Sequence, residues 1–205
     1  MKHIKNIVTG GLPIDEAQGA LVMIHGRGAD AQGILSIATH LEVSGLALIA
    51  PQATNHTWYP YSFMADRVQN EPWLTSALDM LATVEQDIIA AGIPADKIYF
   101  LGFSQGACLA LEYVSRHAKR YGGVIALTGG LIGPELDSNH YVGDFNSTPI
   151  FISTGEPDPH VPLSRVRETE AQLQKMNANV QLEIYPGRPH TITLEELQLA
   201  NQHIF

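Results

Sequence analysis

Gly102-Phe103-Ser104-Gln105-Gly106 sets a serine between two glycines, with an apolar run (Ile98–Leu101) before it and a helix-compatible run after it. Gly-x-Ser-x-Gly at a strand-to-helix turn exposes a serine hydroxyl at the end of a sheet, where it can act as a nucleophile. The residues two before and two after must be small, because strand and helix nearly touch there. The N-terminus of the following helix aims unpaired backbone N–H groups at any negative charge that forms beside the hydroxyl.

A serine hydroxyl is a poor nucleophile until a histidine takes its proton, and that histidine needs a carboxylate to fix its tautomer. On a strand–helix scaffold the chain order is serine, acid, histidine, each at the C-terminal end of a strand. That order leaves His160, His190 and His203 of nine histidines. His203 lies near the end of the terminal helical segment, and His160 leaves only Glu156 or Asp158 before it as acid. His190, in Tyr185-Pro-Gly-Arg-Pro-His190-Thr-Ile, follows the last apolar run directly and is the expected base. The acid should come from Gly155-Glu-Pro-Asp-Pro-His-Val-Pro162. Asp158 stands between two prolines that stiffen the turn, with Glu156 as its rival.

An acyl-transfer site also needs donors for the oxyanion. One is the N–H after the nucleophile, that of Gln105; the other is expected from the His25-Gly26-Arg27-Gly28 turn, where glycines on both sides free the Arg27 peptide N–H to face Ser104. The long connection Gln52–Trp73 carries Trp58, Tyr59 and Phe63, expected to line the substrate pocket.

The elements that must hold these residues follow from periodicity. Strands are expected over Ile4–Val8, Ala20–His25, Leu46–Ala50, Ile98–Phe103, Val124–Thr128, Ile150–Thr154 and Val180–Tyr185, several of them continuously apolar, as in sheets covered on both faces. Helical patterns cover Leu74–Ala91, ended by Gly92 and Pro94, Ser104 to about Arg116, Pro162–Met176 and Thr193–His203. The alternation predicts a single α/β domain over residues 1–205, with a mainly parallel central sheet and helices on both faces. Gly129–Thr148 is too short for a large helical lid, so an open site is expected.

The composition, 45% hydrophobic and 16% charged over 205 residues, is that of a globular chain. A net charge of −9, from 21 acidic and 12 basic residues, argues against nucleic-acid or anionic-membrane partners. Cys108 is the sole cysteine, read as a small buried hydrophobe, and no Cys/His cluster has zinc-ligand spacing. Neither a signal peptide nor a membrane span is apparent, so a cytoplasmic protein is expected.

Taken together, His25-Gly-Arg-Gly-Ala-Asp30, Trp58-Tyr59, Gly92-Ile-Pro94, Leu101-Gly-Phe-Ser-Gln-Gly106, Gly129-Gly-Leu-Ile-Gly133, Asp158-Pro-His-Val-Pro162 and Pro186-Gly-Arg-Pro-His-Thr191 resemble the phospholipase/carboxylesterase family of α/β-hydrolases, which includes acyl-protein thioesterases and small bacterial carboxylesterases. The resemblance covers nearly the whole chain. It implies an α/β-hydrolase fold, nucleophile Ser104, acid Asp158 over Glu156, base His190 and oxyanion N–H groups from Gln105 and Arg27. Arg27 stands where many relatives have leucine, Pro189 where glycine is common, and Pro60 where an acid often follows the aromatic pair. These departures favour a serine carboxylesterase of small or short-acyl esters, without cofactor or metal, over an acyl-protein thioesterase or lysophospholipase. A ligand-binding protein on a hydrolase scaffold is the non-enzyme alternative. A cysteine hydrolase would need cysteine at position 104. The partner expected is a small-molecule ester or thioester, and a homodimer is compatible with the sequence.

Overall fold

In the computed structural model, which describes residues 2–205, the apolar runs form one seven-stranded sheet. Its strands are β1 (Ile7–Gly11), β2 (Gly19–Ile24), β3 (Leu46–Pro51), β4 (Ile98–Phe103), β5 (Gly123–Leu127), β6 (Pro149–Glu156) and β7 (Asn179–Pro186). They lie in the order β1-β3-β2-β4-β5-β6-β7; β1 is antiparallel to β3 and every other pair is parallel. Every residue of β2 and β5 is buried, which is why neither segment alternates polar with apolar.

The helices are α1 (Ala31–Ser36), α2 (Arg67–Asn70), α3 (Trp73–Ala90), α4 (Gln105–Arg116), α5 (Leu163–Lys175) and α6 (Leu194–Ile204). The period-two geometry of the strands divides the core between them. Ala20, Val22 and Ile24 of β2 face a cluster that includes Leu81 and Val84 of α3, Leu111 of α4 and Val166 of α5. Leu21 and Met23 face the opposite cluster, with Ile34 and Leu35 of α1 and Leu197 and Ala200 of α6. No helix among the described residues is long and apolar enough to cross a membrane.

The first strand departs from the expected Ile4–Val8. Pairing starts at Ile7, opposite Pro51, and runs through Gly10 and Gly11 to Ala47, while Ile4 remains 73% exposed. A Cβ on Gly11, at φ +67°, would lie 2.9 Å from Leu48 Cγ. The absence of a side chain at Gly11 thus lets this edge strand lie close to its neighbour.

The segment between β5 and β6 is no lid. Arg165 of α5 donates to Leu131 O (3.2 Å) and Pro134 O (2.7 Å). The buried Glu112 of α4 accepts from Ile132 N and Tyr141 Oη (both 3.0 Å) and pairs with Arg67 (3.1 Å) and Arg116 (2.7 Å). Charged side chains from three helices hold this stretch against the body.

Candidate active site

Because β2, β4, β6 and β7 are parallel, the turns that follow them open on one face, and each carries one of the residues singled out above. Ser104 sits between β4 and α4 at φ 54°, ψ −117°, a backbone conformation that costs a non-glycine residue about 1–3 kcal/mol. The flanking glycines make it attainable. A Cβ on Gly102 would overlap the backbone of Gly106 and lie 2.6 Å from Ala107 N; one on Gly106 would overlap Ile24 O and lie 2.6 Å from His25 O. Ser104 N donates to Leu127 O (3.0 Å) and Ser104 O accepts from Cys108 N (3.0 Å), so the strained turn is tied at both ends.

His190, in the turn between β7 and α6, has Nε2 at 2.8 Å from Ser104 Oγ and Nδ1 at 2.7 Å from Asp158 Oδ2. A carboxylate only accepts, so Nδ1 carries the proton and Nε2 is left to accept from the serine. The Asp158 side chain is fully buried, and its other oxygen accepts from the N–H groups of His160 (2.8 Å) and Val161 (2.9 Å). Burial pushes its carboxyl upward, but the hydrogen bonds from His190, His160 and Val161 together outweigh that and hold it below the usual carboxylate range. Glu156, the rival acid, is exposed at the end of β6. Of the remaining candidate histidines, His203 lies away from the serine and bonds Asn179 O (3.2 Å), whereas His160 lines the site and packs edge-on against the His190 ring at 4.9 Å.

The turn after β2 lies against the elbow; a Cβ on Gly26 would be 3.6 Å from Ser104 Cβ. Among the described residues the Arg27 N–H has no protein acceptor, and the Gln105 N–H belongs to the first turn of α4, where no intrahelical acceptor exists. His25 holds the turn from behind. Its Nε2 accepts from Ala53 N (3.1 Å), which puts the proton on Nδ1, 2.7 Å from Gly26 O. Burial is the main reason its pKa is lowered from the ordinary histidine value.

A cavity of about 560 Å³ opens beside Ser104, lined by Tyr59 and Phe63 on one side and by Cys108 and Val161 among others. Trp58 departs from the expected lining role. It is fully buried behind the turn, its Nε1 donating to His25 O (2.9 Å) and its ring 5.1 Å from that of His25. The Gln105 side chain links the two regions, accepting from Trp58 N (2.9 Å) and donating to Tyr59 O (2.8 Å). No group of three or more His, Cys, Asp or Glu side chains among the described residues is arranged to hold a metal ion.

Sequence reasoning missed the support beneath His190. Arg188, two residues upstream and 7% exposed, places Nη1 2.6 Å from Glu196 Oε1 and donates from Nη2 to Thr128 Oγ1 (2.7 Å). Glu196 is fully buried, accepts from Ser153 Oγ, and closes a capping box with Thr193 at the start of α6. The Thr193-x-x-Glu196 spacing was a readable signal for the cap; nothing local indicated that its glutamate also meets an arginine.

Comparison with known proteins agrees with this architecture. The family model described as Phospholipase/Carboxylesterase matches residues 10–205. Over 165 residues the chain is 30% identical to acyl-protein thioesterase 1 of Saccharomyces cerevisiae, spanning 78% of this chain and 69% of that protein. The crystal structure of a phospholipase/carboxylesterase from Dyadobacter fermentans superposes with a TM-score of 0.98 at 56% identity, covering 100% of this chain and 98% of the other. A Bacillus cereus carboxylesterase shares the fold at a TM-score of 0.80 and 18% identity, over 97% and 92% of the two chains. With an α/β-hydrolase sheet and a family match over nearly its full length, the chain belongs to the phospholipase/carboxylesterase family of carboxylic ester hydrolases.

Proposed function

We propose that the protein hydrolyses carboxylic esters of small or short-acyl substrates, and thioesters of similar size, through a Ser104–His190–Asp158 triad. The observation that carries this reading is the unbroken chain of contacts from Asp158 Oδ2 through His190 (2.7 Å) to Ser104 Oγ (2.8 Å). As His190 Nε2 takes the hydroxyl proton, Ser104 Oγ bonds to the acyl carbon and the carbonyl oxygen becomes an oxyanion facing the Arg27 and Gln105 N–H groups. Collapse expels the alcohol or thiol, which receives the proton from His190. Water, activated by the same imidazole, then attacks the acyl-enzyme and frees Ser104. Asp158 remains ionised throughout and stabilises the imidazolium that forms twice per cycle.

The cavity walled by Tyr59 and Phe63, of about 560 Å³, supports compact acyl groups. A second reading, as an acyl-protein thioesterase, is favoured by the likeness to the yeast protein of that name. Activity against esters of rising acyl length separates them: a short-chain optimum supports the first, a long-chain optimum the second. For the mechanism, a fluorophosphonate probe should label the native protein at Ser104 and leave Ser104→Ala unlabelled; equal labelling of both would overturn it.

A further inference from the structure

The net charge of the chain is −9, yet the cavity beside Ser104 is lined by no Asp or Glu. Its basic lining residues are Arg27, His160 and His190, with the Asp158 carboxylate buried behind His190. Arg27 has no carboxylate within salt-bridge distance among the described residues. A solvent-exposed arginine in an acidic chain ordinarily finds such a partner or waves freely. This one is held in place by neutral acceptors. Nη1 donates to Thr57 Oγ1 (3.0 Å) and Pro60 O (2.9 Å), Nη2 donates to Tyr61 O (2.7 Å), and the guanidinium lies 6.0 Å from the centre of the Tyr59 ring.

Three of its five N–H donors are used, all on groups that leave the positive charge uncompensated. The two that remain, Nε–H and one Nη2–H, sit on neighbouring nitrogens of the planar fork, which suits a bidentate carboxylate or phosphate. Fixing the side chain beforehand also lowers the entropy lost when a ligand meets it. We propose that Arg27 is a specificity-determining residue that selects esters bearing a carboxylate or phosphate near the scissile bond. The inference rests on the ester-hydrolase reading above and names the substrate class of that site. The Arg27 backbone serves the oxyanion; its side chain reads a second charge, carried by the substrate in the same cavity.

The test compares kcat/KM within matched pairs: para-acetoxybenzoate against its methyl ester, the para-nitrophenyl monoester of adipic acid against para-nitrophenyl hexanoate, and para-acetoxyphenyl phosphate against its dimethyl ester. The wild type should prefer the anionic member of at least one pair by about tenfold, the scale of one charge-assisted hydrogen-bonded contact. Which pair responds tells whether carboxylate or phosphate is read, and on which side of the ester. Arg27→Leu should abolish that preference, whatever it does to turnover of the neutral esters, and Arg27→Lys should retain part of it. In the wild type the preference should also shrink several-fold between low salt and about 1 M, where charges are screened within about 3 Å; this arm needs no variant to fold. Equal turnover in all three pairs, or a preference that survives Arg27→Leu or high salt, would overturn the proposal. Those outcomes leave ester hydrolysis itself intact, whereas turnover retained by Ser104→Ala would overturn the reading on which the proposal stands.

Discussion

Glu196→Gln tests whether the buried Arg188–Glu196 pair holds up the loop that carries His190. The two side chains are 6% and 0% exposed, and their charged atoms are 2.6 Å apart. Glutamine is nearly isosteric with glutamate, so its amide oxygen can still accept from Thr193 N, now 3.1 Å from Glu196 Oε2, with its NH2 then turned to donate to Ser153 Oγ. What it removes is the charge opposite Arg188. Leaving one member of a buried pair uncompensated costs about 3–5 kcal/mol. In a chain of this size about 1 kcal/mol moves the melting midpoint by about 2–4 °C, so a fall of about 6–20 °C is expected. Arg188→Met should cost a similar amount by stranding the carboxylate. The double variant should cost at least about 2 kcal/mol less than the two singles summed, because the second change removes the charge that the first left stranded. Thermal and urea unfolding followed by circular dichroism give these numbers, and kcat of the soluble variants reports whether His190 has shifted. The reasoning fails if Glu196→Gln lies within about 1 kcal/mol of wild type, or if the double variant equals the sum of the singles.

Asp158→Asn keeps the shape of the carboxylate but not its charge or its demand for an Nδ1 proton; kcat should fall by about four orders of magnitude with folding retained, measured on the best short-chain ester. His25 binds its proton less readily folded than unfolded. Between its lowered folded value and the ordinary value of about 6.5 the unfolded chain therefore holds more protons. Stability should be full above about 6.5, decline as pH falls through that window, and level off below the folded value; His3, also lowered mainly by burial, adds to the same slope. Urea midpoints across this range should show a shallower slope in His25→Gln, and an unchanged slope would exclude His25 as the source. Burial pushes the Cys108 thiol up to about 12, so iodoacetamide at mildly alkaline pH should modify it only after unfolding, as read by intact mass; rapid labelling of the native protein would contradict that environment.

The strands were legible wherever both faces are buried, because β2, β4 and β5 need uninterrupted apolar runs and no other element explains runs so short. β1 was misplaced because an edge strand is set by pairing rather than by burial: its bounds follow from the register that runs from Ile7 opposite Pro51 to Gly11 opposite Ala47. Residues whose role depends on backbone position, Ser104, Gly102 and Gly106, announce themselves through spacing, since only small residues fit beside the elbow. Trp58 did not, because an aromatic residue in a long loop reads the same whether it walls a cavity or fills the space behind a turn. The Arg188–Glu196 contact was invisible for a different reason. It joins a loop to a helix through two side chains that look, in sequence, like ordinary surface charges.

The arch between β5 and β6 has a consequence for how substrate arrives. A cover that swings would make turnover wait on an opening step, or respond to any surface that favours the open form. Here Arg165, Arg67 and Glu112 clamp that arch from three helices, and Ser104 lies at the floor of a bowl that is already accessible. Rate should follow the concentration of dissolved ester along one hyperbola, with no jump where the ester begins to form micelles. Choice among substrates then belongs to the rim and wall of the bowl, and encounter is left to bulk diffusion.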